Sequence, residues 1–228
     1  MSDLPALRPA VRIVDAVYES LREGILSGAL AQGQQLSVPD LSRQLNVSRS
    51  PVREAVLQLV ADGLALEQPR KGVVVATIEI NDLLEIHEIR EFTEALSARL
   101  CAERIDQSGI VTLRDILDRQ RACVEQDDAS GYFETNTAFH DALGAFTGNA
   151  RLRDILLSLE GQMRIGLKRV SSDREQRRRG VLEHAQILKA IEQRDGDRAE
   201  RLMREHIAKT RKRLAQQSTL KGRGKTAA

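Results

Sequence analysis

The chain has no tryptophan, and aromatic residues make up only 3% of its 228 residues. No apolar run approaches the length of a bilayer-crossing helix, which excludes a helical membrane protein. The first residues, MSDLPALRPAV, place an acid early and contain no apolar core segment, so they do not read as a secretory signal. Only two cysteines are present, Cys101 and Cys123, without CxxC spacing, which points to reduced thiols in a cytosolic protein. A net charge of +2 is too small to announce a nucleic-acid partner by bulk attraction. What is present is 41% apolar residues, enough for real cores, and 30% charged residues spread through helix-like periodic segments. That composition and length fit a soluble, mostly α protein of two compact domains.

Along the chain, Ile13, Val14, Val17, Leu21 and Ile25 recur at helical spacing. A short helix over about 38–45 follows, with Ser37 as its N-cap and Pro39 in its first turn. The turn NVS leads into a third helix, RSPVREAVLQLVADG, ended by Gly63, and LALEQ-PRK-GVVVA reads as a hairpin. From about residue 80 every segment is helical: 81–105 capped by Asn81, then about 108–127, 130–147, 150–171, 172–194 and 197–217. Capping-box spacing marks Ser172–Glu175 and Asp197–Glu200, and Gly196 breaks the chain before the latter. The expected organisation is mainly α: a winged helix-turn-helix over 10–78, an all-α bundle over 79–217, and a disordered basic tail over 218–228. The basic residues around that tail run from Lys209 through Arg211, Lys212, Arg213, Lys221 and Arg223 to Lys225.

Within LSVPDLSRQLNVSRSPVREAVLQLVADGLALE, Leu41, Leu45, Val52, Val56 and Leu59 face inward, leaving Ser48, Arg49 and Ser50 outward. The start of such a helix meets base edges in the major groove, and its hydroxyls and amides bind phosphate. Arg49 and Arg53 share one face and can clamp a phosphate or pair with guanine. Lys71 and Gly72, at the hairpin tip, suit a contact with the backbone or minor groove.

The run from LREGILSG through NVSRSPVREAVLQLVADGL to GVVVA resembles the winged helix-turn-helix of GntR-family bacterial transcription regulators. The helical half is similar to the FCD effector-binding domain of the FadR subfamily, so the resemblance spans about residues 10 to 215. It implies a cytoplasmic homodimer that binds a palindromic operator, usually as a repressor relieved by a small organic acid. It also implies operator contacts at Ser48, Arg49, Ser50, Arg53 and the Lys71-Gly72 tip. Pro39 stands where some members carry a DNA-contacting arginine, with Arg43 one turn on as the substitute.

The helical half contains His140, His184 and His206, each on an apolar stripe of a different helix, with Asn136 one turn before His140. A single histidine on such a stripe is ordinarily a hydrogen-bonded core residue. Three imidazoles and an amide oxygen instead suit a divalent metal: Zn, Ni, Fe or Mn. Many FCD domains hold a metal through an acid, a histidine four residues later and two histidines on the last helices, and these positions resemble that set. The departure is Asn136 where aspartate is common, which removes a negative charge: the site is then either a weakened metal site or one that an anionic effector completes or occupies alone. Arg90 matches a pocket arginine of the family, suited to a carboxylate, with an ion pair to Glu94 as its structural alternative. Arg164 and Lys168 are placed with the same cavity, His87 is left between pocket and surface, and Arg177–Arg179 are expected on the surface. Two other functions compete: a metal-free regulator sensing an acyl-CoA, and a helical metalloenzyme. The second lacks an HExxH-like acid and leaves the N-terminal third without a role.

Overall fold

The computed structural model describes residues 13–167 and 173–224. The chain forms two compact units, Met1–Thr77 and Ile78–Ala228.

In the first unit, α1 (Ile13–Ser27) buries Val17, Leu21, Ile25 and Leu26, while Ile13, expected on that stripe, is exposed at the helix start. Helices α2 (Val38–Gln44) and α3 (Arg49–Ala61) are joined through Asn46, which takes a left-handed conformation at φ 52°. Leu41 is buried and Leu45 half-buried, and α3 contributes Val52, Ala55, Val56 and Leu59 to the same core. Ser37 is the N-cap of α2, but its side chain makes no capping bond. Gly63, left-handed at φ 71°, closes α3, with Gly63 N–H donating to Val60 and Leu64 N–H to Leu59. Strands β1 (Ala65–Gln68) and β2 (Gly72–Val75) pair antiparallel, with Gln68 opposite Gly72. An isolated bridge from Gln35 to Val74 extends this hairpin on its other edge.

The second unit is helical throughout its described residues: α4 (Ile80–Arg104), α5 (Gln107–Glu125), α6 (Ala129–Ala145), α7 (Ala150–Leu167), α8 (Arg174–Glu192) and α9 (Gly196–Gly224). Its helix N-termini are met mostly by carboxylates, with the Asn149 amide oxygen taking that place at α7, where it accepts from Leu152 N–H at 3.1 Å. Glu79 and Asp82 form a reciprocal box at α4, so Asn81 lies inside the helix rather than capping it. Asp173 accepts from Gln176 N–H at 2.8 Å, and Asp195 accepts from Arg198 N–H at 3.0 Å. The expected boxes at 172–175 and 197–200 are thus displaced, and Ser172 lies outside the described residues. A carboxylate that reaches the third amide also meets the positive end of the helix dipole, which favours aspartate. Gly196 opens α9 instead of breaking the chain, and α9 continues to Gly224. Of the expected basic tail, residues 225–228 lie outside the described residues.

Helix α4 packs along α9 and against α7, and α5 packs between α6 and α8. Leu113, Phe139, Leu143, Ile187, Ile191 and Met203 fill the core so formed. Gly166 marks a close approach of α7 to α4, since a Cβ there would stand 2.7 Å from Leu83 Cδ2. Leu113 is fully buried while Val111, two residues earlier on α5, is 55% exposed. Leu113→Ala is therefore expected to cost about 2–5 kcal/mol in denaturant unfolding. Val111→Ala should stay within about 0.5 kcal/mol.

Candidate functional site

In the first unit, α3 presents Ser48 as its N-cap, followed by Arg49 and Ser50, and Arg53 one turn on; all four are exposed. Burial of Val52, Ala55, Val56 and Leu59 on the opposite side fixes this outward face. Arg43 is exposed but paired with Asp40 on its own helix. The Ser37 hydroxyl, then Arg43, holds the Asp40 carboxyl below its ordinary range. At the wing, Arg70 (φ 67°) and Gly72 (φ 72°) are left-handed, and Lys71 is exposed between them. The Lys71 carbonyl is anchored by Gln35 Nε2 at 2.6 Å. Arg70, which sequence reading passed over, adds a second exposed cation to the tip.

In the second unit, α6, α8 and α9 bring His140, His184 and His206 together, with one ligating atom from each lying within 4.8 Å of the others. Each ring is held by its Nδ1. His140 Nδ1 meets Glu94 Oε2 at 2.9 Å, His184 Nδ1 meets Gln120 Oε1 at 2.9 Å, and His206 Nδ1 meets Glu183 Oε2 at 2.7 Å. These oxygens accept, so each Nδ1 carries a proton. Burial disfavours a second proton on His184 and His206, which leaves their Nε2 atoms as lone pairs. His184 Nε2 and His206 Nε2 face one another at 3.3 Å. Two nitrogens bound tetrahedrally at about 2.0–2.1 Å to one zinc would be separated by roughly 3.3–3.4 Å. Phe139 stacks on His184 with ring centroids 4.3 Å apart, which fixes that ring's plane. The donor set therefore fits a metal of the kind that imidazole favours, with its orienting partners in place.

His140 and His206 open onto a cavity of about 170 Å³, also lined by His87, Arg90, Asn136 and Glu160. Asn136 thus shares the cavity wall with two of the three histidines. Arg90 is buried and lines the cavity, yet its Nε and Nη2 both donate to Glu94 Oε1, at 3.0 and 2.5 Å. Burial opposes Arg90's charge, but Glu94 and then Glu160 outweigh it and raise its pKa further. Glu94, though its burial works the other way, is held far below the carboxylate range by His140 and Arg90. Arg164 is half-buried on α7 and is not among the residues lining this cavity. Lys168 lies outside the described residues. Arg177, expected on the surface with Arg178 and Arg179, is buried, paired with Asp127, and lines the cavity. Its position on α8 aims it inward while its two neighbours point out.

The Arg90–Glu94 pair expected as the structural alternative is formed, but the bond from Glu94 to His140 was not legible in the sequence. Gln120 and Glu183, from α5 and α8, were not foreseen either, and look like ordinary helix-surface residues in a periodic pattern. Arg213 also lines the cavity, although it reads as part of the basic C-terminal run.

Burial, followed by the charge of Arg90, pushes His87 down from 6.5 to about 4. Burial likewise lowers His184 and His206. In the unfolded chain these imidazoles take up protons near pH 6.5, whereas the native state resists doing so. The stability contributed is complete above about pH 6.5 and is lost as pH falls toward 4, on the order of 3 kcal/mol for His87. Chelator-treated protein should therefore show a melting temperature that falls between these limits, with a shallower fall in His87→Gln.

Two family descriptions match the chain in succession: "Bacterial regulatory proteins, gntR family" over residues 13–75 and "FCD domain" over 85–209. The HTH-type transcriptional repressor RspR of Escherichia coli (strain K12) is 30% identical over 202 residues, 88% of each chain. The Nta operon transcriptional regulator of Aminobacter aminovorans is 28% identical over 182 residues, covering 78% of this chain and 82% of its own. Among solved structures, E. coli McbR/YncC has the same fold, with a TM-score of 0.76 at 24% identity over 92% of this chain and 100% of its own. The metalloenzyme reading of the histidines falls away, because the relatives and the matched families are transcription regulators. The chain belongs to the GntR family of bacterial transcription regulators, with a DNA-binding helix-turn-helix followed by an FCD domain, an architecture consistent with the FadR subfamily.

Proposed function

We propose that the protein is a cytoplasmic, metabolite-responsive repressor that binds a palindromic operator as a homodimer. Its second unit takes a small carboxylate effector beside a divalent metal held by His140, His184 and His206. The observation that carries this reading is the cavity, where bare imidazole nitrogens meet Arg90, Arg177 and Arg213 around one space. A bound Zn, Ni, Fe or Mn ion would supply a Lewis-acidic anchor for an anionic oxygen. Asn136 would complete the set as a neutral carbonyl ligand, and its amide would orient the effector. The acyl-CoA alternative is disfavoured by size, since about 170 Å³ is small even beside the ~300–1,000 Å³ of drug-sized sites.

For DNA, the reading rests on the exposed Ser48-Arg49-Ser50 start of α3, with Arg53 beside it and Lys71-Gly72 at the wing. One such helix reads too few base pairs for specificity, so two copies are needed. A surface suited to a second copy is present on α4, where Ile89, Phe92 and Leu96 form an apolar stripe exposed by 51, 60 and 41%. Effector binding would change operator affinity, and operator would change effector affinity by the same factor. Among the described residues no helix is long and apolar enough to cross a membrane, in keeping with a DNA-bound role.

Arg49→Ala with Arg53→Ala should weaken specific operator binding about a hundredfold or more, each contact contributing about 1–3 kcal/mol. Unchanged affinity in a mobility-shift titration would remove these residues from the interface. Elemental analysis of the purified protein should find a divalent metal that is lost in His184→Ala. Asn136→Asp should bind it on the order of tenfold more tightly, because a carboxylate adds a full negative charge. Equal metal affinity in Asn136→Asp would take Asn136 out of the coordination shell.

A further inference from the structure

His87 has no part in holding the metal, yet it is one of the most constrained groups in the second unit. It is 1% exposed on α4, one turn before Arg90, and lines the same cavity. Its Nδ1 lies 2.7 Å from the Leu83 carbonyl oxygen. A carbonyl can only accept, so the proton sits on Nδ1 and the tautomer is settled. Burial and the neighbouring Arg90 charge keep the ring neutral, with a pKa pushed down to about 4. Nε2 is therefore a lone pair that can only accept, and it is buried without a hydrogen-bonding partner. Leaving such an acceptor unmet is costly, and a cavity occupant bearing a donor would remove that cost.

We propose that the effector is a hydroxycarboxylate whose hydroxyl group donates to His87 Nε2. This rests on the carboxylate reading given above and adds the chemical group that selects among acids. The donor is a neutral hydroxyl rather than an ammonium, because Arg90 stands one turn away and repels a second cation. Nor can His87 donate to a ligand carboxylate, since its only proton is committed to Leu83. The carboxylate end is left to the cavity's cations, Arg90, Arg177 and Arg213, and to the metal. His87 is thus a specificity-determining residue. It rejects an acid that lacks the hydroxyl by leaving a buried acceptor bare.

The test compares acids that differ by one group, bound to the full-length, metal-loaded protein and measured by titration calorimetry. Lactate is set against propionate and alanine, malate against succinate and aspartate, and 3-hydroxybutyrate against butyrate and 3-aminobutyrate. Among sets that bind, the hydroxy acid should bind at least about tenfold more tightly than the acid lacking the group. In His87→Leu that ratio should collapse toward one, whereas His87→Gln, whose side-chain oxygen can accept, should keep part of it. Equal binding of hydroxylated and plain acids, a preference for the amino acids, or an unchanged ratio in His87→Leu would each overturn the proposal. A second measurement needs no ligand and no variant: nitrogen-15 NMR of histidine-labelled protein should show His87 neutral with its proton on Nδ1. A proton on Nε2 would overturn the proposal even if carboxylates bind. If no acid of any set binds while the NMR result holds, it is the carboxylate reading that fails, and the hydroxycarboxylate assignment falls with it.

Discussion

Three imidazoles are each pinned through Nδ1 by an oxygen acceptor from another side chain, and the arrangement of the effector-binding unit depends on that constraint. Glu94, Gln120 and Glu183 place a proton on each Nδ1 and set the ring planes, and burial leaves the Nε2 atoms of His184 and His206 as electron pairs. At 3.3 Å, two such pairs repel unless a cation or proton lies between them. The protein therefore stores an electrostatic demand at the end of its cavity. The three acceptors come from α4, α5 and α8, so the demand arises only when the bundle is assembled.

Glu94 connects this centre to the rest of the cavity. One of its oxygens holds His140, and the other receives two donors from Arg90. A carboxylate and a guanidinium, both nearly solvent-free, offset one another's desolvation only with such close geometry. Removing either partner would leave a buried charge exposed to nothing that compensates it. The ion pair also couples chemistry along α4: Arg90 lowers the proton affinity of His87, and Glu94 supports the proton on His140 Nδ1. A ligand that reaches Arg90 competes with Glu94, and through Glu94 it acts on a ring of the histidine cluster. Glu94 thus links the Arg90 side of the cavity to the histidine cluster.

The DNA-binding unit follows a simpler principle. Its recognition helix buries one stripe against the small core and leaves the polar N-terminal turn to solvent. Ser48, Arg49 and Ser50 need no support beyond the helix itself, because the amides of a helix N-terminus already attract an anion. The wing needs three residues between paired strands, and Arg70 and Gly72 take left-handed conformations to make that turn. Both surfaces are determined locally, by spacing and by turn geometry.

That difference decides what could be read from the residues alone. The winged helix-turn-helix motif, the all-α second unit and the three histidines were legible because each is expressed in local periodicity or in residue type. Helix caps were less so, since serine, asparagine and aspartate all compete within two residues of a boundary, and the best-placed side-chain oxygen wins. Arg177 reads as one of three equivalent surface arginines, yet the packing of α8 turns it alone into the cavity. His87 could not be placed either way, because its role depends on a carbonyl one turn earlier and on a cavity formed by α6 through α9. The sequence by itself determined which helices form and which residues carry usable chemistry, since both follow from short-range spacing. Only the tertiary structure decided protonation, pairing and access, because those depend on burial and on partners brought together from distant helices.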